Sequence, residues 1–453
     1  MKKSDYLKRL GVLFLASLSL FLQIIIFALL WYRHYEGNIQ VYFYEKGNWL
    51  VIAVYAVLLF MFYHMYGAFK IGYLKTGDVL FSQLFATTCM TLVAYAQISL
   101  LLGWFADPIP VVHMYLADIV VIVGGTFLAH SFYRFVYPPR KLVLFHGNRN
   151  IEDILYKFQS RSDKYKIIRC VNIEVGKEQL LEEIQNATEG VVIWDVDTAI
   201  RKELMKYCYA HSVRVYMMPK ITDILVRGSE QLHLFDTPIL LNREYSLTVG
   251  ERVIKRTVDL VCAIFLCLIT MPIMLIAAIV IHAYDKGPVL YKQVRCTRHM
   301  KEFTIYKFRS MRVDAEKDGV ARLAKQNDNR ITPIGQFIRM TRIDELPQLF
   351  NIIRGEMTFV GPRPERPEII AQYTEQMPEF VLRTKVKAGL AGYAQVYGKY
   401  NTTPYDKLKL DLFYILNYST WLDLKLMLLT LKILFKPEST EGVQDTQQTA
   451  LKK

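Results

Sequence analysis

The 453 residues are 52% hydrophobic and 13% aromatic, yet they carry a formal charge of +14. That length exceeds one ordinary domain, and the apolar content argues against a soluble globule. Cationic charge beside long apolar runs is the pattern of membrane segments with a basic cytoplasmic surface. The expected partners are therefore a lipid bilayer and phosphorylated substrates, and no nucleic acid. The six cysteines (Cys89, Cys170, Cys208, Cys262, Cys267 and Cys296) form no CxxC pair and no zinc-like Cys/His spacing. They read as ordinary thiols of a reducing compartment.

The chain opens MKKSDYLKRL and then runs apolar from Gly11 to Tyr32. That run is too long for a signal-peptide core and no small-residue cleavage site stands out, so it is predicted to be a retained first span. Three more spans are predicted at Trp49–Phe69, Val79–Trp104 and Pro110–Val136. Basic residues cluster at the N-terminus (Lys2, Lys3, Lys8, Arg9), on the second connection (Lys70, Lys75) and after the fourth span (Arg134, Arg140, Lys141). Arg33 and Lys46 are spread over the longer first connection, and the third, FADPIP, has no basic residue. The positive-inside rule puts the N-terminus, the second connection and everything after Pro139 in the cytoplasm.

Pro138-Pro139 closes this transmembrane region, residues 1–138. From there KLVLFHG, KYKIIRCVNIE, GVVIWDV and RVYMMP read as strands, alternating with helical NIEDILYKFQS and IRKELMKYCYAHS. Alternation of this kind predicts a Rossmann-like α/β domain with a parallel sheet, over 139–247. Its first turn, FHGNRN, holds one glycine where a dinucleotide fingerprint needs several. A regulatory or oligomerisation role is expected ahead of nucleotide binding.

A fifth apolar segment, Val258–Tyr284, lies between ERVIKR and YKQVRCTRHMK. It is long enough to cross, but two basic flanks belong on one side. Pro272 sits mid-run, removes the hydrogen bond to the Leu268 carbonyl and bends the helix. A re-entrant helix that enters and leaves one leaflet satisfies both observations. A kinked fifth span is the alternative, since membrane helices tolerate proline. Residues 248–436 then form a basic, mixed unit that ends in WLDLKLMLLTLKILFK. There Lys425, Lys432 and Lys436 share one helical face, which suits a helix lying in the membrane interface. A packed surface helix is the other reading. The polar stretch 437–453 is predicted to be a disordered tail.

The chemistry concentrates between Arg339 and Glu365. Asp344 and Glu345 precede Leu346-Pro347 and the helical stretch LPQLFNIIRG. Asp344 is predicted at or near the N-cap, where free N–H groups and the helix dipole favour anions. A carboxylate there is a usable nucleophile toward phosphorus, and its neighbour can hold Mg²⁺ through oxygens shared with substrate phosphates. First-turn acids are common and need no catalytic role. The surroundings point further: Arg339, Arg342 and Arg363 lie nearby, with Lys307 and Arg309 upstream in YKFRSM. Cations massed around an acidic pair suit a diphosphate substrate. Taken singly, they read as solvated or lipid-facing charge.

The motifs YKFRSM, DNRITPIGQFIR, IDELPQLFNIIRGEMTFVGPRP and GLAGYAQVYG, followed by LDLFYILNYSTWLDLKL, occur in that order. Over Thr248–Phe435 the chain resembles the bacterial sugar transferases, the monotopic polyprenyl phosphate hexose-1-phosphate transferases. The four spans and Rossmann-like domain ahead of that unit resemble the large, N-terminally extended members. The resemblance implies an α/β membrane protein with a four-helix transmembrane bundle, a Rossmann-like domain and a C-terminal monotopic phosphoglycosyltransferase domain with a re-entrant helix around Pro272. It implies an enzyme of the bacterial inner membrane with its catalytic domain in the cytoplasm. That enzyme would transfer a sugar 1-phosphate from a UDP-sugar to polyprenyl (undecaprenyl) phosphate, release UMP, and so initiate capsule, exopolysaccharide or O-antigen assembly.

Asp344 would carry the covalent phosphosugar, and Glu345 matches the Mg²⁺-associated acid. Arg339 and Arg363 match phosphate-gripping arginines. Lys307, Arg309 and Asp411 match further substrate-site positions, and a homodimer is implied by the large members. Departures are Arg342, where the family commonly has a small residue, and Ala388 and Ala391, where it often has Pro and Thr. These bear on substrate identity. A non-catalytic membrane sensor or scaffold with a ligand-binding Rossmann-like domain is the competing reading. A transporter is disfavoured because the predicted spans hold few charged residues.

Overall fold

The computed structural model describes residues 3–39, 46–148, 150–186, 189–242, 247–313, 328, 330–398 and 402–434. The predicted tail, 437–453, and Lys436 lie outside them. The four N-terminal apolar runs form α1 (Lys3–Leu30), α2 (Gly47–Tyr66), α3 (Thr76–Leu102) and α4 (Pro108–Val136). Glycines in the left-handed region end α2 and α3, Gly67 at φ 74° and Gly103 at φ 78°. Asp107 starts α4 by accepting from the Ile109 N–H at 3.0 Å, with Pro108 in the first turn where its missing N–H costs nothing. The helix α1 packs on α2 and α4, and α3 packs on α2 and α4, which closes a ring. Large side chains such as Phe27, Tyr55, Leu59 and Met90 fill it, while Phe14, Leu29, Val120 and Phe127 face outward.

The α/β part follows within the same compact unit, Met1–Met218. It comprises β1 (Arg140–His146), α5 (Glu152–Gln159), β2 (Tyr165–Asn172), α6 (Lys177–Asn186), β3 (Val191–Trp194), α7 (Thr198–Ala210) and β4 (Val215–Met217). The sheet is parallel, in the order β2-β1-β3-β4. Side chains of the central strands alternate between two cores. Val143, Phe145 and Ile193 pack with Leu180 and Leu204, whereas Leu142, Leu144 and Val192 pack with Ile154. Burial on both faces explains why these strands read as unbroken apolar runs. At the C-terminal end of β1, Gly147 N–H donates to the Trp194 carbonyl at 3.2 Å. A Cβ there would lie 2.3 Å from the Asp195 carbonyl. Backbone thus meets backbone where a doubly wound sheet opens its ligand crevice. Arg161 joins the α/β part to the helices by donating to the Gly72 and Tyr73 carbonyls between α2 and α3.

The second unit is Pro219–Lys453. The sheet therefore ends well before residue 247. Helix α8 (Ile221–Arg227) buries Ile221 and Ile224 in the second unit's core, and β5 (Glu230–Leu234) with β6 (Thr237–Leu241) forms an exposed antiparallel hairpin. Next comes α9 (Val249–Asp285), one 37-residue helix that continues through Pro272 and is about 55 Å long at 1.5 Å per residue. A capping box starts it: Glu251 N–H donates to Thr248 Oγ1 at 3.2 Å and Thr248 N–H to the Glu251 carboxylate at 2.8 Å. Asp259, Ala263, Cys267, Met274 and Ile281 form its buried stripe, while Val261, Phe265, Leu268, Leu275 and Ile276 are exposed. Together with α1–α4 it makes five helices, among the described residues, long and apolar enough to cross a membrane.

The remaining elements are the hairpin β7 (Leu290–Cys296) and β8 (Glu302–Phe308), then α10 (Pro333–Met340), α11 (Gln348–Arg354), β9 (Thr358–Val360), α12 (Pro367–Gln376), β10 (Gly389–Ala391), α13 (Tyr393–Tyr397), α14 (Pro404–Leu416) and α15 (Thr420–Leu434). The core joins Ile305, Phe308, Leu349, Ile352, Phe380 and Leu412.

Two basic stretches are tied into this fold. The basic flank ahead of α9 is not free surface charge. Lys255 pairs with Asp423 at 2.5 Å and donates to the Val360 carbonyl at 3.0 Å. Arg256 caps the C-terminal carbonyls of α11, reaching Ile352 at 2.7 Å and Ile353 at 2.8 Å. In α15, Lys432 is buried with Leu426 and Leu429, so this helix packs on the domain with Trp421, Leu424 and Leu431 outward. Asp259 completes the anchoring of α9, accepting from Thr358 Oγ1 at 2.7 Å and the Phe359 N–H at 3.0 Å. Asp259→Ala strands that buried strand N–H. It should cost about 2–3 kcal/mol, read as a lowered urea or thermal midpoint of the full chain in detergent. An unchanged midpoint would show that the helix is held otherwise.

Candidate active site

Asn351 sets the frame. It is fully buried on α11, where the neighbouring positions are apolar. Its Oδ1 accepts from the Tyr306 N–H at 3.2 Å, and its Nδ2 donates to the Thr304 carbonyl at 2.7 Å and to Glu356 at 2.6 Å. This side chain staples α11 along β8 and so brings Lys307 beside the turn that precedes α11.

That turn differs from expectation. Pro347 has no N–H to offer the Ile343 carbonyl, which instead takes the Leu346 N–H at 3.1 Å. Residues Ile343–Glu345 therefore form a 3₁₀ turn, and Pro347 occupies the N-cap of α11. Asp344 stands ahead of the helix rather than at its cap. Arg342 enters the turn at φ 59° and accepts from the Glu345 N–H at 3.1 Å. A left-handed non-glycine residue costs about 1–2 kcal/mol.

The cations arrive from both sides. Glu345 Oε1 accepts from Lys307 Nζ at 2.8 Å and from Arg363 Nη2 at 2.9 Å. Arg363 sits on the loop after β9, which is tied to β10 by Gly361 N–H to Ala391 at 2.9 Å and Gly389 N–H to Pro362 at 2.9 Å. A Cβ at Gly361 would meet the Lys387 carbonyl at 2.4 Å, so this approach requires glycine. Arg383 donates to the Arg363 carbonyl at 3.1 Å and pairs with Asp411 at 2.8 Å. Arg295 holds the same loop through the Pro364 carbonyl at 3.2 Å.

Lys307, Asp344, Glu345 and Arg363 thus converge, and Arg339 is near enough to act electrostatically on Asp344. Two expected site residues lie elsewhere. Arg309, two residues beyond Lys307, pairs with Asp285 and ties down the last turn of α9. Asp411 is buried against Arg383 and acts on the Arg363 loop through it. Pro272 belongs to α9. Asn351 and Arg383 were not foreseen. An amide buried within apolar LFNIIR was the available signal for the first, and Arg383 has no local signal.

The two carboxyls divide the field unequally. Burial works against the charge on Glu345, but Lys307 and Arg363 outweigh it and hold this carboxyl well below the usual range. Burial, then the charge of Glu345, pushes Asp344 from 3.8 up to about 6, against the pull of Lys307, Arg339 and Arg342. Asp344 Oδ1 is buried with no hydrogen-bond partner. Because the folded pKa lies above the unfolded value, the native state binds the extra proton between roughly pH 4 and 6, and ionisation above that range destabilises the fold. Asp344→Asn should therefore be more stable than the wild type at pH 8, on the order of 1–3 kcal/mol, with the gain fading as pH falls toward 4. Thermal midpoints across that pH series test this; a gain that persists unchanged at pH 4 contradicts the assignment.

A sequence model of the family described as bacterial sugar transferase matches residues 250–437. The UDP-N-acetylgalactosamine-undecaprenyl-phosphate N-acetylgalactosaminephosphotransferase of Aeromonas hydrophila is 38% identical over 231 residues, covering 50% of this chain and 53% of that protein. The UDP-glucose:undecaprenyl-phosphate glucose-1-phosphate transferase of Escherichia coli K12 is 34% identical over 239 residues, 52% of this chain and 51% of that one. The chain thus matches about half the length of these two curated relatives. The uncharacterized sugar transferase EpsL of Bacillus subtilis is 40% identical over 194 residues, which are 43% of this chain and 92% of EpsL. The chain belongs to the bacterial sugar transferase family.

Proposed function

We propose that this protein transfers a sugar 1-phosphate from a UDP-sugar to undecaprenyl phosphate, with Asp344 as the nucleophile. The observation that carries this reading is a buried carboxylate with an unpartnered oxygen beside Glu345, Lys307 and Arg363, in a chain whose relatives bear the names of undecaprenyl-phosphate sugar phosphotransferases. An Asp344 oxygen attacks the sugar-linked phosphorus, the bond to the bridging oxygen breaks, and UMP leaves with the electron pair. A phosphate oxygen of undecaprenyl phosphate then attacks the same phosphorus and Asp344 departs as carboxylate, so the cycle needs no net proton. In this reading Arg363 and Lys307 meet the charge that builds on the non-bridging oxygens, and Arg339 adds to that field. Poor solvation of Asp344 raises its basicity while leaving it ionised at neutral pH.

Mg²⁺ fits this donor set. The described residues include no group of three or more His, Cys, Asp or Glu side chains that would enclose a metal alone, and Mg²⁺ characteristically uses one or two carboxylates together with substrate phosphates. Glu345, kept ionised and with both of its described hydrogen bonds on Oε1, would hold it together with the substrate phosphates. Bound there, it neutralises charge on the diphosphate.

The α1–α4 ring is read as four membrane spans and α9 as a re-entrant helix, with the catalytic unit on the cytoplasmic face of the inner membrane. What supports this is that α9 attaches to one unit both in its N-terminal third, through Asp259 to β9, and at its last residue, through Asp285 to Arg309. The glycan pathway initiated is capsule, exopolysaccharide or O-antigen assembly.

UMP release from a panel of UDP-sugars, with undecaprenyl phosphate and Mg²⁺ present, tests the reaction. Asp344→Asn should lower it by ~10³-fold or more while the protein stays folded. The wild-type rate should rise with pH as Asp344 ionises and be level above about 6, since Mg²⁺ beside the pair favours the carboxylate, the reactive form. Turnover retained by Asp344→Asn would remove it as nucleophile. Arg363→Lys keeps the charge but loses the planar donor, and should cost roughly 10–100-fold in kcat/KM.

A further inference from the structure

The interior of the α1–α4 ring is polar as well as apolar. Gln23 donates to the Tyr63 hydroxyl at 2.6 Å and to the Ser19 carbonyl at 3.2 Å, and accepts from Thr87 at 2.9 Å. Gln83 donates to the Ala68 carbonyl at 3.3 Å and accepts from Thr126 at 2.8 Å. These groups satisfy one another. Asp118 does not join them. It lies on the inner stripe of α4 between Met114 and Ile122, is 0% exposed, and neither carboxylate oxygen has a hydrogen-bond partner. The Tyr55 hydroxyl on α2 and the Ser19 hydroxyl on α1 are also buried and unpartnered.

The titratable groups facing Asp118 are Tyr55 and Tyr63, both within its electrostatic reach. Among the described residues no cationic side chain acts on it. The buried polar side chains that α1 and α3 contribute are uncharged: Ser19, Gln23, Ser82, Gln83 and Thr87. A lone carboxylate buried in a helical interior is too costly to stand uncompensated, so a proton or a bound cation must neutralise it. Unpaired acids inside membrane helices mark ion or proton sites. The available donors are all oxygens, which select a hard cation. They carry a single negative charge, which a monovalent ion cancels and a divalent ion would overshoot.

We propose that Asp118, with the neighbouring Tyr55 hydroxyl, forms a monovalent-cation site inside the α1–α4 ring that takes Na⁺ in exchange for a proton. Direct binding of ²²Na⁺ to the full chain in detergent, at pH 8 and with choline balancing ionic strength, tests it. Saturable binding of one Na⁺ per chain is expected, displaced as pH is lowered to 5, lost in Asp118→Asn and weakened at least fivefold in Tyr55→Phe. Absence of saturable binding by the wild type, meaning that Asp118 holds only a proton, overturns the proposal. So does equal binding by Asp118→Asn. Should that variant fail to fold, wild type against Tyr55→Phe decides, and unchanged affinity in Tyr55→Phe rejects the site.

Discussion

Two adjacent carboxyl groups cannot be equally well ionised inside one protein pocket, and the site is organised around that constraint. Lys307 and Arg363 both bond to Glu345. The acid that receives the cations becomes the fixed charge, and the acid beside it must ionise against both burial and that charge. Asp344 is thereby left near neutral titration, with an oxygen that nothing in the protein solvates. A carboxylate buried without a partner is a liability to the fold and, in the proposed reaction, an asset toward phosphorus. The same residue carries both effects, so stability and reactivity at position 344 should move in opposite directions.

Such an arrangement persists only if the surroundings leave the turn no alternative. The 3₁₀ turn is entered through a left-handed Arg342 and closed by a proline that cannot donate. Both features disfavour relaxation into a regular helix. Asn351 fixes α11 against β8, Arg256 caps the far end of α11, and Asp259 binds β9 to α9. These buried polar contacts run from the long apolar helix to the turn that carries the acidic pair. Two further polar links, Lys255 with Asp423 and Arg309 with Asp285, lie toward the two ends of α9. That helix is therefore a structural beam of the catalytic unit as well as an apolar surface, and the geometry of the acidic pair is coupled to how α9 is held.

What could be read from the sequence was what local chemistry decides. The four N-terminal helices follow from uninterrupted apolar length, and the parallel sheet from strand–helix alternation with apolar strands. The acidic pair and its cations were visible as a density of charge. Sequence reading went astray where a residue's partner is distant. Lys307 and Arg309 look alike in YKFRSM, yet the first meets Glu345 and the second meets Asp285, because the strand ends between them at Phe308. Lys255 and Arg256 count as cationic flank in any tally of charge, although tertiary partners occupy both. Asp344 does not cap the helix because Pro347, lacking an N–H, takes the N-cap itself and leaves a 3₁₀ turn ahead of it.

Asp411 and Arg383 show how far a site can extend without touching it. Arg383 is almost wholly buried, and its guanidinium bridges Asp411 and the Arg363 carbonyl. A backbone carbonyl held at Arg363 fixes where that side chain begins, and therefore whether it can reach Glu345. Gly361 makes the same demand from the other side, since any side chain there would push the loop off β10. The cation that sets the charge of Glu345 is thus positioned by a buried ion pair and a glycine. Glu345 in turn sets how readily Asp344 gives up its proton. The basicity of Asp344 is consequently a property of the packed unit and not of the acidic dipeptide alone.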